Sequence, residues 1–394
     1  MEKCGILFFP VIVRRSFDKA PNHFSESIYP SSLSLIPPLK CSRKPDIETY
    51  SEFTTSVDAT RRDLGLIFDL GQQGSWDSKE VGSPVVKRFI SDDEERWYMW
   101  YHGNSNESKS APDSIGLAVS NNGVHWDRGN GTVESGDDVG LVMQCATDWW
   151  VFDTQSIRPS EVVVMSSNKV RTSSAVYWLF YTGFFSDGVT RSLPGLAMGQ
   201  DGRYWARIEG EHHTGALFDA GNGWDSQLIA NPKVVVHEIG DFRMYYDTVE
   251  AETGENCIGL ARSRDGMKWV KMRKILGAGK GGCFDEGGVM NCSVRKVGDS
   301  YVMAYEGVDR KGRRSIGIAR SNDGLGNWGK LKEEPVLEPS DGWDNGGVGS
   351  PCLMEMGDEW RMYYSGAGDD GRTRIGLAVS NDLSCFKRWT AFHL

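Results

Sequence analysis

From residue 64 onward, short apolar runs separated by polar, glycine-rich stretches return in a fixed order. The most distinctive run alternates with a period of two: Trp97 to Tyr101, Tyr177 to Tyr181, Phe242 to Tyr246, Tyr301 to Tyr305 and Trp360 to Tyr364. That period puts every second side chain on one face and predicts a half-buried antiparallel strand. A short apolar run precedes each, around Pro84, Pro159, Pro232 and Pro351, with Asn291-Cys292 in the fourth copy. Proline suits the start of a strand, where no ladder donor is lost. A third run, Ile115-Gly116-Leu117-Ala118, follows, and its glycine returns as Gly195, Gly259, Gly317 and Gly376. Each copy opens on an aromatic-acidic pair, Trp76-Asp77, Phe152-Asp153, Trp224-Asp225, Phe284-Asp285 and Trp343-Asp344. Most close on a turn such as Ser263-Arg264-Asp265-Gly266-Met267-Lys268-Trp269, whose Asp-Gly or Asn-Gly step is of the hairpin type.

Periods of this length indicate propellers or arrays. Three strands and the one leaving the turn make a four-stranded blade, and five blades closed in a circle remove the exposed sheet edges of a linear array. The expected fold is therefore all-β, a five-bladed β-propeller around a central funnel. The segment Gly65 to Gly71 resembles Gly215 to Gly221, which ends an internal blade, so the N-terminal copy is expected to complete the last blade as a clasp.

Two regions follow: a leader over 1–60 and the propeller domain over 61–394. Residues 1–45 carry seven Lys and Arg against three Asp and Glu, within a chain of net charge −10. A basic, Ser-rich, acid-poor leader reads as an organelle transit peptide, chloroplast or other. A secretory signal over Ile6 to Val13 is the alternative, interrupted by Pro10 and followed by Arg14-Arg15; an unaddressed tail is the third reading. The acidic balance argues against nucleic acid or an anionic membrane as partner, and no apolar run has the length of a span. Of eight cysteines, Cys257, Cys292, Cys352 and Cys385 fall in the repeat and are expected in the core, and none shows metal-ligand spacing. No cofactor or metal is expected, and the chain is taken as a monomer. Asn106, Asn130 and Asn291 begin glycosylation sequons, relevant only to a secreted chain.

The serial motifs Trp-Asp, Gly-Ser-Pro-Val, Tyr-Met-Tyr-Tyr, Ile-Gly-Leu-Ala and Ser-x-Asp-Gly-x-x-Trp resemble the five-bladed propeller glycoside hydrolases, the arabinanase/levansucrase/invertase superfamily that includes families 43 and 32. The resemblance covers about residues 64–394. It implies a substrate funnel on the ring axis and three carboxylates from the first three blades. Cleavage of a glycosidic bond needs a protonated carboxyl at the leaving oxygen and an ionised one across the ring. The positions where the family places its acids hold Ser83, Arg158 and, in the third blade, Ala230 and Asn231. The usual trio is thus not transferable.

An axial site must break five-fold symmetry, whereas a residue present in every blade serves the blade. Asp77, Asp153, Asp225, Asp285 and Asp344 recur and read as turn or cap residues. The residue after each Tyr-Tyr strand varies: His102, Thr182, Asp247, Glu306 and Ser365. Asp247 and Glu306, with Glu286, are the candidate catalytic acids; the bland reading is polar strand ends. His102, Arg158, Asn231 and Asn291 are candidate substrate contacts, with a structural ion pair as the alternative for Arg158. Trp149 and Trp150, found only in the second blade, are a candidate stacking platform or else core. Three functions stay open: hydrolysis of arabinofuranosyl-, xylosyl- or fructosyl-containing carbohydrate, non-catalytic binding of a sugar or protein partner, and a sialidase-like activity suggested by the Asp-box-like turn.

Overall fold

A computed structural model of the chain describes residues 63–90, 94–105, 111–165, 175–221 and 223–390. The leader, with every expectation placed on it, and Asn106 lie outside the described residues. Those described form strands and turns with no helix. After β1 (Leu66–Phe68), the first unit consists of β2 (Glu80–Ile90), β3 (Glu95–Asn104), β4 (Ser114–Ser120) and β5 (Gly140–Met143), hydrogen-bonded in that order. The second repeats the pattern with β6 (Ser156–Met165), β7 (Val176–Ser186), β8 (Thr190–Gly199) and β9 (Ala206–Ile208). The third is β10 (Ala230–Glu238), β11 (Asp241–Val249), β12 (Asn256–Ser263) and β13 (Val270–Leu276). The fourth is β14 (Gly288–Val297), β15 (Ser300–Val308), β16 (Arg314–Ser321) and β17 (Gly329–Lys330), joined to the third by one parallel bridge from Asn256 to Gly288.

The fifth unit holds β18 (Gly347–Glu355), β19 (Trp360–Ala367) and β20 (Thr373–Ser380). Its fourth place is shared by β21 (Lys387–Arg388) and β1, both antiparallel to β20. The N-terminal clasp expected from the sequence is present. First strands touch in the order β2, β6, β10, β14, β18 and back to β2.

The strand glycines have a direct cause. A Cβ on Gly116 would fall 2.4 Å from the Trp76 ring, and one on Gly317 would fall 2.6 Å from Phe284. The aromatic of each aromatic-acidic pair covers this glycine, beside the tyrosine of the second strand, as where Phe284 stacks on Tyr305 at 6.1 Å.

The acid of the pair is structural, as expected, mainly through side chains, although Asp344 Oδ1 also accepts the Ser340 amide at 3.2 Å. Tyr101, Tyr181, Tyr246, Tyr305 and Tyr364 donate their hydroxyls to Asp77, Asp153, Asp225, Asp285 and Asp344 at 2.9 to 3.0 Å. A cation closes each group: Arg128, Arg207, Lys271, Lys330 and Arg388 lie 2.6 to 3.2 Å from the same carboxylates. Burial of an unpaired carboxylate is costly, so the tyrosine and the cation are what make these buried acids tolerable.

At the far end of each unit the turns do a second job. Ser263 and Trp269 flank a connection longer than a two-residue hairpin loop, held by Asp265 Oδ1 accepting from the Met267 and Lys268 amides. Its glycine has φ +76° and sits on Trp178 of the preceding unit. Equivalent glycines offer their carbonyls across the seam: Gly202 to Trp100 Nε1 at 2.7 Å, Gly324 to the Tyr245 hydroxyl and Gly123 to the Tyr363 hydroxyl at 2.8 Å. The last bond joins the fifth unit to the first. Cys257, Cys292 and Cys352 are buried as expected, but Cys385 lies in an exposed turn.

Candidate functional site

Each first strand begins with a bulge in which it carries one residue more than the second strand opposite it. Ser83, Asn231, Asn291 and Ser350 occupy it with φ between 46° and 48°, the left-handed region that short polar side chains tolerate best. This turns their amides toward the neighbouring unit. There the residue after each Tyr-Tyr strand accepts them. Thr182 Oγ1 takes the Asn231 amide at 2.8 Å, Asp247 Oδ2 the Asn291 amide at 2.8 Å, Glu306 Oε2 the Ser350 amide at 3.0 Å and Ser365 Oγ the Ser83 amide at 2.9 Å. The variable position is therefore a latch between successive units.

The seam from the first unit to the second lacks it. Pro159 stands where the others present an amide, and proline has neither an N–H nor access to positive φ. The irregularity moves one residue along, so Arg158 pairs with Thr182 in the ladder, at the level of Gly82 opposite His102. Arg158 thus does not share the placement of Asn231 and Asn291, contrary to the alignment on proline. It donates to Asp113 at 2.6 Å, and Asp113 accepts from Asn104 at 2.7 Å. His102 is buried with neither ring nitrogen hydrogen-bonded among the described residues. Its Nε2 lies 3.5 Å from Glu80 Oε1, and this neighbour holds the Glu80 carboxyl down at about 2.

Asp247 and Glu306 are brought together. Asn231 Nδ2 donates to Asp247 Oδ2 at 2.6 Å and also to Asn291 Oδ1, while Asn291 Nδ2 donates to Glu306 Oε2 at 2.7 Å. Burial pushes the Asp247 carboxyl up to about 7, aided by the nearby Glu306 charge and opposed by the Asn231 and Asn291 donors. Asp247 Oδ1 and Glu306 Oε1 have no hydrogen-bond partner among the described residues, although Arg314 lies 3.7 Å from the latter. Glu286 does not join them: it accepts from the Gly282 amide at 2.7 Å and faces Arg310 at 3.4 Å.

Ser83, Asn231, Asn291, Ser350 and the adjoining prolines enclose a space of about 10 Å³ between the first strands. That is about one water molecule. Deeper in lies a charge cluster the sequence reading missed. Glu161 meets Lys87 at 2.6 Å and Arg295 at 3.5 Å, with Lys233 bonded to the Ser160 carbonyl beside it. Burial would raise the Glu161 carboxyl, but Lys87, Arg295 and Lys233 hold it at about 2. Glu161, Lys233 and Arg295 sit on first strands of successive units, which only the packing of those units brings together. No group of His, Cys, Asp and Glu suited to a metal ion occurs among the described residues. Trp149 and Trp150 are not core, being 90% and 45% exposed.

Residues 224–393 match the family model described as the glycosyl hydrolases family 32 N-terminal domain. Two uncharacterised proteins of Mycobacterium tuberculosis are 33% and 32% identical over 152 and 155 residues, each match covering 37% of this chain and 48% of the relative. The chain spans about half the length of the curated relatives it matches. Among solved structures, a glycoside hydrolase superposes with TM-score 0.60 at 16% identity, over 86% of this chain and all of its own. A structure from the mannoside phosphorylase family that contains glycoside hydrolases targeting β-1,2 mannosidic linkages in Candida mannan gives 0.57 at 17%, over 80% and 88%. An N-acetylgalactosamine deacetylase from F. plautii gives 0.55 at 15%, over 82% and 95%. The resemblance read from the sequence holds at the level of the fold: the chain has the propeller-type fold of glycoside hydrolases, and its residues 224–393 match one of their family models. That a deacetylase shares the fold shows how little of the chemistry the fold fixes.

Proposed function

We propose that the five four-stranded units are the blades of a closed five-bladed propeller. On this reading the protein is a glycosidase acting on arabinofuranosyl-, xylosyl- or fructosyl-containing carbohydrate. The cyclic contact of the first strands supports the ring. One observation carries the activity: Asp247 and Glu306, from adjacent units, belong to a single hydrogen-bonded chain, and each keeps one oxygen without a partner among the described residues. A carboxyl that holds its proton up to about pH 7 suits donation to a leaving sugar oxygen. Glu306 supplies the second carboxylate that such a cleavage requires. Glu286, bound to Arg310 and a loop amide, is left outside this scheme.

The test is turnover of an aryl arabinofuranoside, an aryl xyloside and sucrose. Asp247→Ala and Glu306→Ala should each lose about 100-fold or more in kcat, the usual weight of acid–base catalysis. Unchanged rates would sink the assignment.

A second reading, a propeller that binds sugar without cleaving it, is favoured by the latch role of the same two carboxylates and by an axial space the size of one water. A wild-type protein that binds sugars yet turns over none of the three substrates would decide for it. The leader over 1–60 is proposed as an organelle address, to be checked by localising the full chain and one lacking those residues as fluorescent fusions.

A further inference from the structure

We propose a second carbohydrate site in the second unit, separate from the Asp247–Glu306 chain, that takes a neutral sugar ring on an aromatic platform. It rests on the sugar-binding part of the reading above. A pocket of about 380 Å³ opens between the loop leading into Phe152-Asp153 and the strand β9 with the loop after it, lined by residues that include Thr147, Asp148, Trp150, Asp153, Arg207 and Glu209. That volume is in the range of small-ligand sites. Trp150 forms part of its wall, and Trp149, next in the chain, is 90% exposed. Two adjacent tryptophans held in water are costly unless something covers them. Their flat rings and indole N–H groups suit the apolar face and hydroxyls of a sugar.

The floor supplies a second, independent sign. Asp153 is buried and belongs to the recurring tyrosine–aspartate–cation group, yet its Oδ1 has no hydrogen-bond partner among the described residues. In the first and fifth units the corresponding oxygen accepts from Ser75 and Ser340. The second unit has Ala146 near this point, whose amide donates to the Asp153 carbonyl as that of Gly71 does to Asp77. A buried acceptor at the wall of a pocket, left open here and filled in the first and fifth units, is where a ligand hydroxyl would donate. Charge selects the class of sugar. Asp148, Asp153 and Glu209 outweigh Arg207, so an uronate or a phosphorylated sugar is repelled and a neutral one is accepted.

Calorimetry and saturation-transfer NMR with arabinotriose, xylotriose and a fructose trisaccharide test this on the full chain. At least one should bind, and the Trp149→Ala/Trp150→Ala double variant should weaken it about tenfold or more, with Trp150→Phe keeping most of the affinity because a flat ring remains. Asp247→Ala and Glu306→Ala should leave this binding intact, which separates failure of the second site from failure of the axial one. Trigalacturonic acid should bind at least about tenfold more weakly than the neutral trisaccharides. The proposal is overturned if the double variant binds as wild type does, if only the axial variants lose binding, if the acidic trisaccharide binds equally well, or if no trisaccharide binds.

Discussion

Two sets of polar residues recur from unit to unit, rings on the closed-propeller reading, and they obey opposite rules. The outer one is the same in every unit: a tyrosine hydroxyl, a buried aspartate and an arginine or lysine. The inner one, at the seams near the axis, uses threonine, aspartate, glutamate and serine for one task, and at the seam between the first and second units abandons it. Identity is demanded where a charge is buried, because only a matched pair makes that burial tolerable. Variety is permitted where the need is merely one acceptor for one amide. Axial chemistry has room to enter through the second kind of position.

The outer ring is the first place to break the contrast, and the largest effect is expected there. Asp285→Ala removes the partner of the Tyr305 hydroxyl and of Lys330, both within 3.0 Å of it. Breaking a buried pair by deleting one member costs about 3 to 5 kcal/mol. Lys330 is partly solvated, so the low end applies, and denaturant unfolding should show a loss of about 3 kcal/mol. A loss under about 1 kcal/mol would place these groups with ordinary surface pairs.

A pH titration sharpens the inner ring. Asp247 has its folded carboxyl raised to about 7, so between the unfolded value near 4 and about 7 the folded state holds a proton that the unfolded state has released. Stability from this group is therefore full below pH 4 and is lost as pH rises through 7. The slope approaches about 1.4 kcal/mol per pH unit. Glu80 and Glu161, held at about 2, act in the opposite sense, their contribution present above about 4.5 and lost only toward pH 2. Asp247→Asn should flatten the decline between pH 4 and 7, read from unfolding midpoints; an unchanged profile would mean that Asp247 titrates normally.

The legibility of the molecule divides along the same line. The aromatic alternation, the strand glycine and the N-terminal clasp were readable because each is a local pattern enforced by the same contact in every copy, as with Gly116 under Trp76. The outer ring was half readable: the recurring aspartate was seen to be structural, but its cation arrives from the fourth strand or, in the first unit, from the connection before it, at no fixed spacing, Arg128 being 51 residues beyond Asp77 and Lys271 only 46 beyond Asp225. The inner ring was located but misread in one unit. Aligning prolines put Arg158 level with Asn231, whereas the backbone counts from the ladder, and a proline in the position that elsewhere takes positive φ shifts the register by one. Glu161 escaped notice for the same reason, since that shift sets it opposite Phe180 rather than where a proline-based count would.

The smallest expected effect tests the missing latch itself. Thr182→Val keeps the shape of the side chain but leaves the Asn231 amide with no acceptor in a buried seam, a cost of about 1 to 3 kcal/mol. His102→Leu alters the equivalent position of the seam where Pro159 offers no amide, so no backbone donor is stranded. Its cost should come from repacking and from the lost 3.5 Å contact with the part-exposed Glu80, about 1 kcal/mol in all. The difference between the two variants, measured side by side in urea, isolates the latch from packing, because both side chains are buried and both follow a Tyr strand. Should His102→Leu cost as much as Thr182→Val, the unlatched seam would be held by His102 and Glu80 after all, and the freedom assigned to that seam would disappear.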